Sequence, residues 1–284
     1  MPELPEVEIT ARRLSAALAG ATIESTMAPG LNVLKTFDPP LHALDGNALE
    51  GVRRIGKHLV VDVSGDLKVL LHLMSAGRLQ LYDKRASLRD KTSRLLIRID
   101  DGRELRLREF GTRQRAWVKV LTPEGLAADE AVASLGPEAW PDPPEDLAAL
   151  LKPVGARPLQ AALRDQHVIT GIGRSWVDEI LWTARLSPFK RANELDADEA
   201  AALRAAILER LGGAIDHYEN VVQLPIPDKL PLPLEVHRHH GEPCPRCGTT
   251  IEAVHYEDYV LCYCPEEQTG GRVLKDRRLS RLLK

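Results

Sequence analysis

Alternating apolar and polar residues cover much of the first half of the chain, and this pattern constrains the fold more than any other feature. Between residues 22 and 121 the alternation runs over six to eight positions at a time, as at 58–63, 68–74, 93–100 and 115–121. A period of two predicts β-strands with one buried face, and pairs such as Asp101-Gly102 predict the turns between them. We therefore expect an antiparallel sandwich or barrel of short strands in this region.

Helical patterns precede and follow the strands. Residues 1–20 place Val7, Leu14 and Leu18 on one helical face, with Gly20 past the end. Further helices are predicted at 159–166, 175–184 and 196–219. Four prolines between residues 224 and 234 exclude a regular helix there and predict an extended connector. The sequence thus predicts a multidomain α+β chain.

Charge is distributed unevenly along the 284 residues, although the formal net charge is only −3. Residues 51–122 carry 17 bases and 8 acids, residues 123–150 carry seven acids and no base, and residues 268–284 carry six bases and one acid. A local positive field attracts polyanions whatever the total charge. The alternative is that these segments are simply solvated faces.

Composition also allows a prediction of the cellular compartment. No apolar run approaches the roughly 20 residues of a membrane helix, and three glutamates among the first ten residues exclude the basic start of a signal peptide. Four cysteines are too few for a disulfide scaffold in a chain of this length. We expect a protein of the reducing cytoplasm without a membrane span.

The cysteines near the C-terminus predict a metal site. Cys244 and Cys247 have the two-residue spacing of a zinc knuckle, and Cys264 follows later in the chain. Glu267 occupies the position of a fourth ligand, and the alternatives for that place are Cys262 and His255. The favoured interpretation is one structural zinc ion; the alternative is a hairpin that folds without metal.

The first residues, Met1-Pro2-Glu3-Leu4-Pro5-Glu6, combine a potential amine with carboxylates. If Met1 is removed, Pro2 presents a secondary amine, which condenses with aldehydes to iminium ions. Glu3 and Glu6 lie within one helical turn and can donate or accept protons. By residue type alone, an ordinary helix start, with proline and acids in the first turn, is the stronger explanation of the segment.

Several motifs occur together in one order: residues 1–8 (MPELPEVE), Gly56-Lys57-His58, the segment 72–77 (HLMSAG), the turn 166–173 and the cysteine module. This combination resembles the formamidopyrimidine-DNA glycosylase/endonuclease VIII family over essentially the whole chain. The resemblance implies a β-sandwich after the first helix, a helix–two-turns–helix domain and a C-terminal zinc-finger-like hairpin. It implies a bifunctional base-excision repair enzyme, both DNA glycosylase and abasic-site lyase, that flips a damaged base out of the duplex.

The resemblance also assigns catalytic roles. Pro2 would be the nucleophile that forms a Schiff base with the sugar, and Glu3 would protonate the ring oxygen. Glu6 would support the site, and Lys57 would contact a phosphate beside the lesion. Successive β- and δ-eliminations would then cut the strand on both sides of the abasic sugar.

DNA-contacting residues follow from the same resemblance. Met74 would fill the hole left by the flipped base, Arg108 would face the orphaned base and Phe110 would wedge the stack. The remaining contacts are expected from His72, from the turn residues Gly171, Gly173 and Arg174, and from Arg272.

The chain departs from the family pattern at several positions. Glu109 stands where a second arginine is common, Arg174 replaces an asparagine, and Tyr259 replaces the arginine that clamps the phosphates. The proline-rich stretch 224–234 takes the place of a glycine-rich loop, which leaves the preferred lesion open.

The expected domains are residues 1–122 (β-sandwich catalytic domain), 123–153 (linker and start of the helical domain), 154–223 (helix–two-turns–helix domain), 224–243 (connector) and 244–284 (zinc-finger-like module). The expected partner is damaged or abasic double-stranded DNA, bound by a monomer in the cytoplasm at the bacterial nucleoid. A non-catalytic or weakly catalytic damaged-DNA-binding protein is the first alternative, and a zinc-bearing transcription regulator is the second.

Overall fold

The structure, a computed structural model, describes residues 1–30, 32–87, 90–110 and 114–274. It contains two compact units, each built from two stretches of chain. Unit 1 comprises Met1–Ser134 and His217–Pro231, and unit 2 comprises Leu135–Asp216 and Leu232–Lys284. The basic residues after position 274 lie outside the described residues.

Unit 1 begins with helix α1, Leu4–Leu18. Its start is fixed by a capping box, in which the side chains of Glu3 and Glu6 each accept a hydrogen bond from the other residue's amide. Its apolar face is fully buried and includes Leu4 together with the predicted positions Val7, Leu14 and Leu18. The helix packs mainly on the strand Leu49–Ile55, so burial of this face anchors the N-terminus in the core.

Two four-stranded antiparallel sheets form the rest of the core of unit 1. One has the order β1-β6-β7-β5 and the other β2-β3-β4-β8. The strands are β1 Ile23–Met27, β2 Leu49–Ile55, β3 His58–Val63, β4 Leu67–His72, β5 Gly77–Tyr82, β6 Ser93–Ile99, β7 Glu104–Glu109 and β8 Trp117–Leu121. The predicted α+β class with an antiparallel sandwich is confirmed.

The acidic segment after β8 is helical rather than a plain linker. It forms α2 (Pro123–Ala128) and α3 (Glu130–Ala133), which are capped by the side chains of Thr122 and Asp129. A short 3-10 helix at Leu41–Leu44 lies earlier in the same unit.

Unit 2 is helical with a terminal β-hairpin. Its elements are α4 Leu147–Leu151, α5 Leu159–Leu163, α6 Arg174–Thr183, the part of α7 (Ala197–Val221) up to Asp216, β9 Glu252–His255, β10 Val260–Tyr263 and α8 Pro265–Thr269, with 3-10 turns at Lys152–Val154 and Ala192–Glu194. Strands β9 and β10 pair antiparallel, as the predicted hairpin requires. No described helix combines the length and apolarity that a membrane span needs.

A buried carboxylate ties the hairpin segment to α6. Glu179 is 0% exposed and accepts hydrogen bonds from the amides of Glu235, Val236 and His237 at 2.8–3.1 Å. The neighbouring Asp178 accepts from the Cys262 amide and contacts His237 Nδ1. Glu179 therefore has a structural role, because it fixes residues 235–237 to α6.

Candidate active site

Two buried carboxylates stand at the start of α1, directly after Pro2. Glu3 is 3% exposed and Glu6 is 7% exposed. The Glu3 amide donates to Glu6 Oε2 at 2.7 Å, and the Glu3 side chain accepts from the Glu6 amide. Pro2 is partly buried and Met1 is 55% exposed, so the bond between them lies at the surface.

Tyr218, on the part of α7 that belongs to unit 1, completes this group. It is fully buried, and its hydroxyl donates to Glu6 Oε1 at 2.9 Å. Burial and the neighbouring Glu6 carboxylate raise the pKa of Tyr218 well above its ordinary value, so the hydroxyl keeps its proton. Both oxygens of Glu6 thus have fixed donors, and the carboxylate holds one orientation.

The proline-rich connector is attached to strand β5 next to this group. Gln80 is 3% exposed and donates to the Ile226 carbonyl and to Asp228 Oδ1. Arg78 Nε donates to the Asp228 carbonyl at 2.6 Å. Burial lowers the pKa of Arg78, while the Asp228 and Glu6 carboxylates oppose that shift, which places Arg78 within electrostatic range of Glu6.

Lys57 lies in the tight turn between β2 and β3 and is 6% exposed. The turn needs Gly56 at a positive φ of 57°, and Arg54 Nη1 donates to the Gly56 carbonyl. The Lys57 ammonium lowers the pKa of both His58 and His72, so it lies in the field of both rings.

His72 ends strand β4 and holds the turn that carries Met74. Its Nδ1 accepts the Met74 amide at 2.9 Å, and Met74 has the unusual φ of +50°. The ring stacks on Trp117 with centroids 5.9 Å apart and meets His58 edge-on at 4.7 Å. Burial lowers the pKa of His72 to about 3, so the ring is neutral and its nitrogen can accept.

Arg108 and Phe110 lie beside the same turn. The Phe110 amide donates to the Ala76 carbonyl, and the Arg108 guanidinium lies 4.5 Å from the centroid of the Phe110 ring. Phe110 is 44% exposed, which is unusual for a large apolar side chain and suits a wedge. The structure therefore brings Met74, Arg108 and Phe110 to one edge of the sheet.

Glu109 does not face solvent between these two residues. It is 2% exposed, and its Oε1 accepts the amides of Arg115 and Ala116 at 2.6 and 3.0 Å. This carboxylate therefore anchors the chain that follows β7.

In unit 2, the turn before α6 is organised by the side chain of Gln166. Its amide nitrogen donates to the Ile172 carbonyl, and its oxygen accepts the Gly171 amide at 3.0 Å. Gly171 has a φ of +103°, a conformation that favours glycine, and Gly173 is the N-cap of α6. Arg174, the first residue of the helix, is half exposed and pairs with Asp258 of the hairpin.

The cysteine module brings three thiols together. Ligand atoms of Cys244, Cys247 and Cys264 all lie within 4.8 Å of one another, and the sulfurs of Cys247 and Cys264 are 3.5 Å apart. Tetrahedral zinc with Zn–S bonds of about 2.3 Å separates its sulfur ligands by about 3.8 Å, so the three thiols fit such an ion.

The candidates for the fourth ligand lie elsewhere. The Glu267 carboxylate faces Arg185 at 3.1 Å and Arg246 at 3.4 Å. Cys262 is buried, accepts the Arg238 amide, and has its pKa raised to about 11 by burial. Among the described residues, none of the three candidates, Glu267, Cys262 and His255, belongs to the group of mutually close ligand atoms.

Arg272 is exposed and follows α8, and its amide donates to the Thr269 carbonyl. Arg272 belongs to unit 2, whereas Met74 belongs to unit 1.

Comparison with known protein families and proteins gives matches to formamidopyrimidine-DNA glycosylases. The family model of the formamidopyrimidine-DNA glycosylase N-terminal domain matches residues 1–114, and that of the H2TH domain of the same glycosylase matches residues 135–225. Formamidopyrimidine-DNA glycosylase from Roseiflexus sp. is 33% identical over 94% of this chain and 100% of its own length, and the protein of that name from Chloroflexus aurantiacus is 32% identical over 93% and 96%.

Solved structures of similar fold include complexes of MutM and Fpg proteins with DNA. A MutM protein in complex with DNA containing carbocyclic 8-oxo-G superimposes with a TM-score of 0.83 at 27% identity, covering 94% of this chain and all of the other. Lactococcus lactis Fpg in complex with abasic-site DNA gives 0.83 at 25% identity, over 94% and 99%.

Fold and sequence together define a DNA repair glycosylase. The chain belongs to the formamidopyrimidine-DNA glycosylase family, which confirms the resemblance noted in the sequence.

Several residues of the site carry no local sequence signal. Tyr218 contacts Glu6 across 212 residues of sequence, and Gln80 contacts Ile226 across 146. In the sequence, only the run of prolines beginning at Pro225 distinguishes the connector. Nothing in the connector predicts that strand β5 holds it.

Proposed function

We propose that this chain removes damaged bases from double-stranded DNA and then cleaves the strand at the abasic sugar. The start of α1 carries the proposal: Pro2 is followed by two buried carboxylates, and Tyr218 fixes the second of them. Such a group is more than a helix cap needs, since a capping box requires no third partner for Glu6.

With Met1 removed, Pro2 carries a secondary amine. Its nitrogen attacks C1′ of the damaged nucleotide, the base leaves with the bonding electrons and takes up a proton, and an iminium ion forms between Pro2 and C1′. Glu3 gives a proton to the ring oxygen as the C1′–O4′ bond breaks. Glu6 positions Glu3 through the hydrogen bond to its amide.

The iminium ion is an electron sink for the cleavage of the strand. Loss of a proton from C2′ expels the phosphate on the 3′ side, and a second elimination expels the phosphate on the 5′ side. Water then hydrolyses the iminium ion and frees Pro2. Lys57 holds a phosphate next to the reacting sugar.

Solved relatives support a DNA substrate, since their structures contain DNA with carbocyclic 8-oxo-G or an abasic site. In this chain Met74 fills the space of the extruded base, Arg108 faces the orphaned base and Phe110 enters the stack. Phosphates are contacted by His72, Gly171, Gly173, Arg174 and Arg272. A monomer acting at the nucleoid satisfies this mechanism.

Zinc bound by Cys244, Cys247 and Cys264 supports the hairpin and takes no part in the chemistry. Glu267 stays with its arginines, so the Glu267→Ala variant keeps one zinc per chain. Metal analysis of the purified protein tests this, and loss of zinc in that variant would make Glu267 the fourth ligand.

A non-catalytic or weakly catalytic DNA-binding protein is the competing function, because Arg174 and Tyr259 depart from the family pattern. Borohydride trapping on a duplex with one abasic site separates the two. The wild-type protein should give a covalent adduct, and Pro2→Gly should give none while still binding the duplex.

Two controls sharpen the trapping experiment. Pro5→Ala changes the other proline of the same turn and should trap normally, because Pro5 is buried inside the helix start. An N-terminal extension that blocks Pro2 should abolish trapping without changing the fold. A folded wild-type protein that binds the duplex, has lost Met1 and still forms no adduct would overturn the lyase proposal.

A further inference from the structure

Two arginines converge on one aromatic ring at the tip of the hairpin in unit 2. The guanidinium carbon of Arg164 lies 4.3 Å from the centroid of the Tyr259 ring, and that of Arg174 lies 5.0 Å from it. Tyr259 itself stacks on Tyr256 with centroids 4.3 Å apart and planes 6° from parallel. Both tyrosines pack on the buried residues of the hairpin, so the ring is a fixed support.

An exposed carboxylate lies in front of these arginines. Asp258 Oδ2 is 2.5 Å from Arg174 Nη2, and the Asp258 carbonyl accepts from Arg174 Nη1 at 2.9 Å. The hydrogen bond and charge of Arg174 lower the pKa of Asp258, and the charge of Arg164 lowers it further. One anion therefore already lies in the field of both guanidinium groups.

We infer that Arg164, Arg174 and Tyr259 form a phosphodiester-binding site, in which Asp258 occupies the place of the phosphate until DNA displaces it. The inference rests on the proposed function in taking duplex DNA as the ligand. Arginine binds carboxylate and phosphate with the same fork of donors, so the contact seen with Asp258 shows how a phosphate oxygen is held.

The exchange is energetically easy. The side chains of Arg174 and Asp258 are 44% and 67% exposed, and an ion pair so exposed contributes little in water. A phosphate in a duplex is flanked by other phosphates, which add to the negative potential at the arginines, and its binding releases counterions. A lone carboxylate does neither. The ring of Tyr259 keeps both guanidinium groups oriented after Asp258 has moved away.

This site accounts for the replacement of arginine by tyrosine at position 259. The positive charge absent from the hairpin is supplied from the helical turn, by Arg164 at the end of α5 and Arg174 at the start of α6. Tyr259 then contributes a ring face instead of a charge.

The test measures the dissociation constant for a duplex containing a tetrahydrofuran abasic analogue. Asp258→Asn is compared with Glu257→Gln, which removes the same charge from the adjacent exposed residue. Asp258→Asn should bind about two- to fivefold more tightly than Glu257→Gln. In an Arg174→Ala background the two substitutions should have equal effects, because the competitor no longer has its arginine.

The aromatic support is tested separately. Tyr259→Phe keeps the ring and should bind like the wild type, whereas Tyr259→Ala should bind severalfold more weakly. Equal affinities of Asp258→Asn and Glu257→Gln in the wild-type background, or an unaltered affinity of Tyr259→Ala, would overturn the inference. Borohydride trapping of the same variants reports the Pro2 chemistry, so a failure of this site and a failure of the proposed lyase are distinguishable.

Discussion

His72 should remain neutral in the folded protein at every pH above about 5, although an ordinary histidine has a pKa near 6.5. Burial, His58 and Lys57 lower the pKa of His72 to about 3, and burial lowers that of His58 to about 4. The experiment lowers the pH and compares the wild-type protein with the matched variant His72→Asn. Asparagine does not titrate, and its side-chain oxygen can accept the Met74 amide two residues later.

The direction in which pH changes the free energy of unfolding follows from proton binding at His72 in the unfolded and folded states. As the pH falls below about 6.5 the unfolded chain binds a proton at His72, while the folded chain does not until the pH nears 3. The free energy of unfolding is therefore highest above pH 6.5 and falls by about 1.4 kcal/mol per pH unit inside that window. At pH 5 the loss from His72 is about 2 kcal/mol, and His58 adds a similar amount.

Two measurements check this expectation. Ring nitrogen signals in ¹⁵N-histidine spectra should show His72 and His58 untitrated between pH 8 and 5. Urea unfolding at the two pH values should show the wild type losing about 2 kcal/mol more than His72→Asn. Other groups cancel in this difference, including Asp178, whose pKa burial raises to about 6.

A ring signal of His72 that titrates near pH 6.5, or equal losses in both proteins, would refute the reasoning from burial. His72→Phe supplies a functional control, because it keeps a ring beside Trp117 but has no acceptor. It should release bases more slowly than His72→Asn, since the positive φ of Met74 then has no side-chain partner.

Three further outcomes are expected. Tyr218→Phe removes a donor from the buried Glu6 carboxylate, so it should cost about 1–3 kcal/mol in urea unfolding and slow base release; an unchanged protein would contradict the fixed geometry of Glu6. Gly77→Ala places a methyl group against the Leu73 carbonyl and should lower stability by about 1–3 kcal/mol in thermal unfolding, whereas a neutral result would mean that the turn adjusts freely. Cys247→Ser should lose zinc in metal analysis and lower the melting temperature, and full retention of zinc would exclude the three-thiol site.

Local patterns predicted the elements of the fold well. Strand β3 coincides with the predicted run 58–63, and β6 lies within one residue of 93–100. These runs were located although both faces of β3 and β6 are largely buried, with five of six and six of seven residues buried. Strand β4 ends at His72 rather than Met74, because Met74 turns to a positive φ that a strand does not allow.

Contacts between distant parts of the sequence could not be predicted in this way. The MPELPEVE start indicated Pro2 and Glu3, but no periodicity shows that Tyr218 meets Glu6. The contacts of the hairpin could not be predicted either, because the sequence shows Tyr259 only as the replacement of an arginine and thus as the loss of a positive charge. Only the folded chain brings Arg164 and Arg174 to that ring. Charge counting along the sequence treats a solvated arginine and a buried one such as Arg106 alike, although Arg106 is paired with the buried Glu104.

The division of unit 1 into two stretches of chain has a consequence for biosynthesis. Tyr218, in the second stretch His217–Pro231, is synthesised 84 residues after the end of the first stretch at Ser134. At about 5–20 residues per second this takes about 5–20 s, during which the nascent chain lacks Tyr218. A polypeptide released early therefore contains Pro2, Glu3 and Glu6 without the hydroxyl that fixes Glu6. Completion of the chain, and not merely synthesis of its N-terminus, assembles the candidate active site.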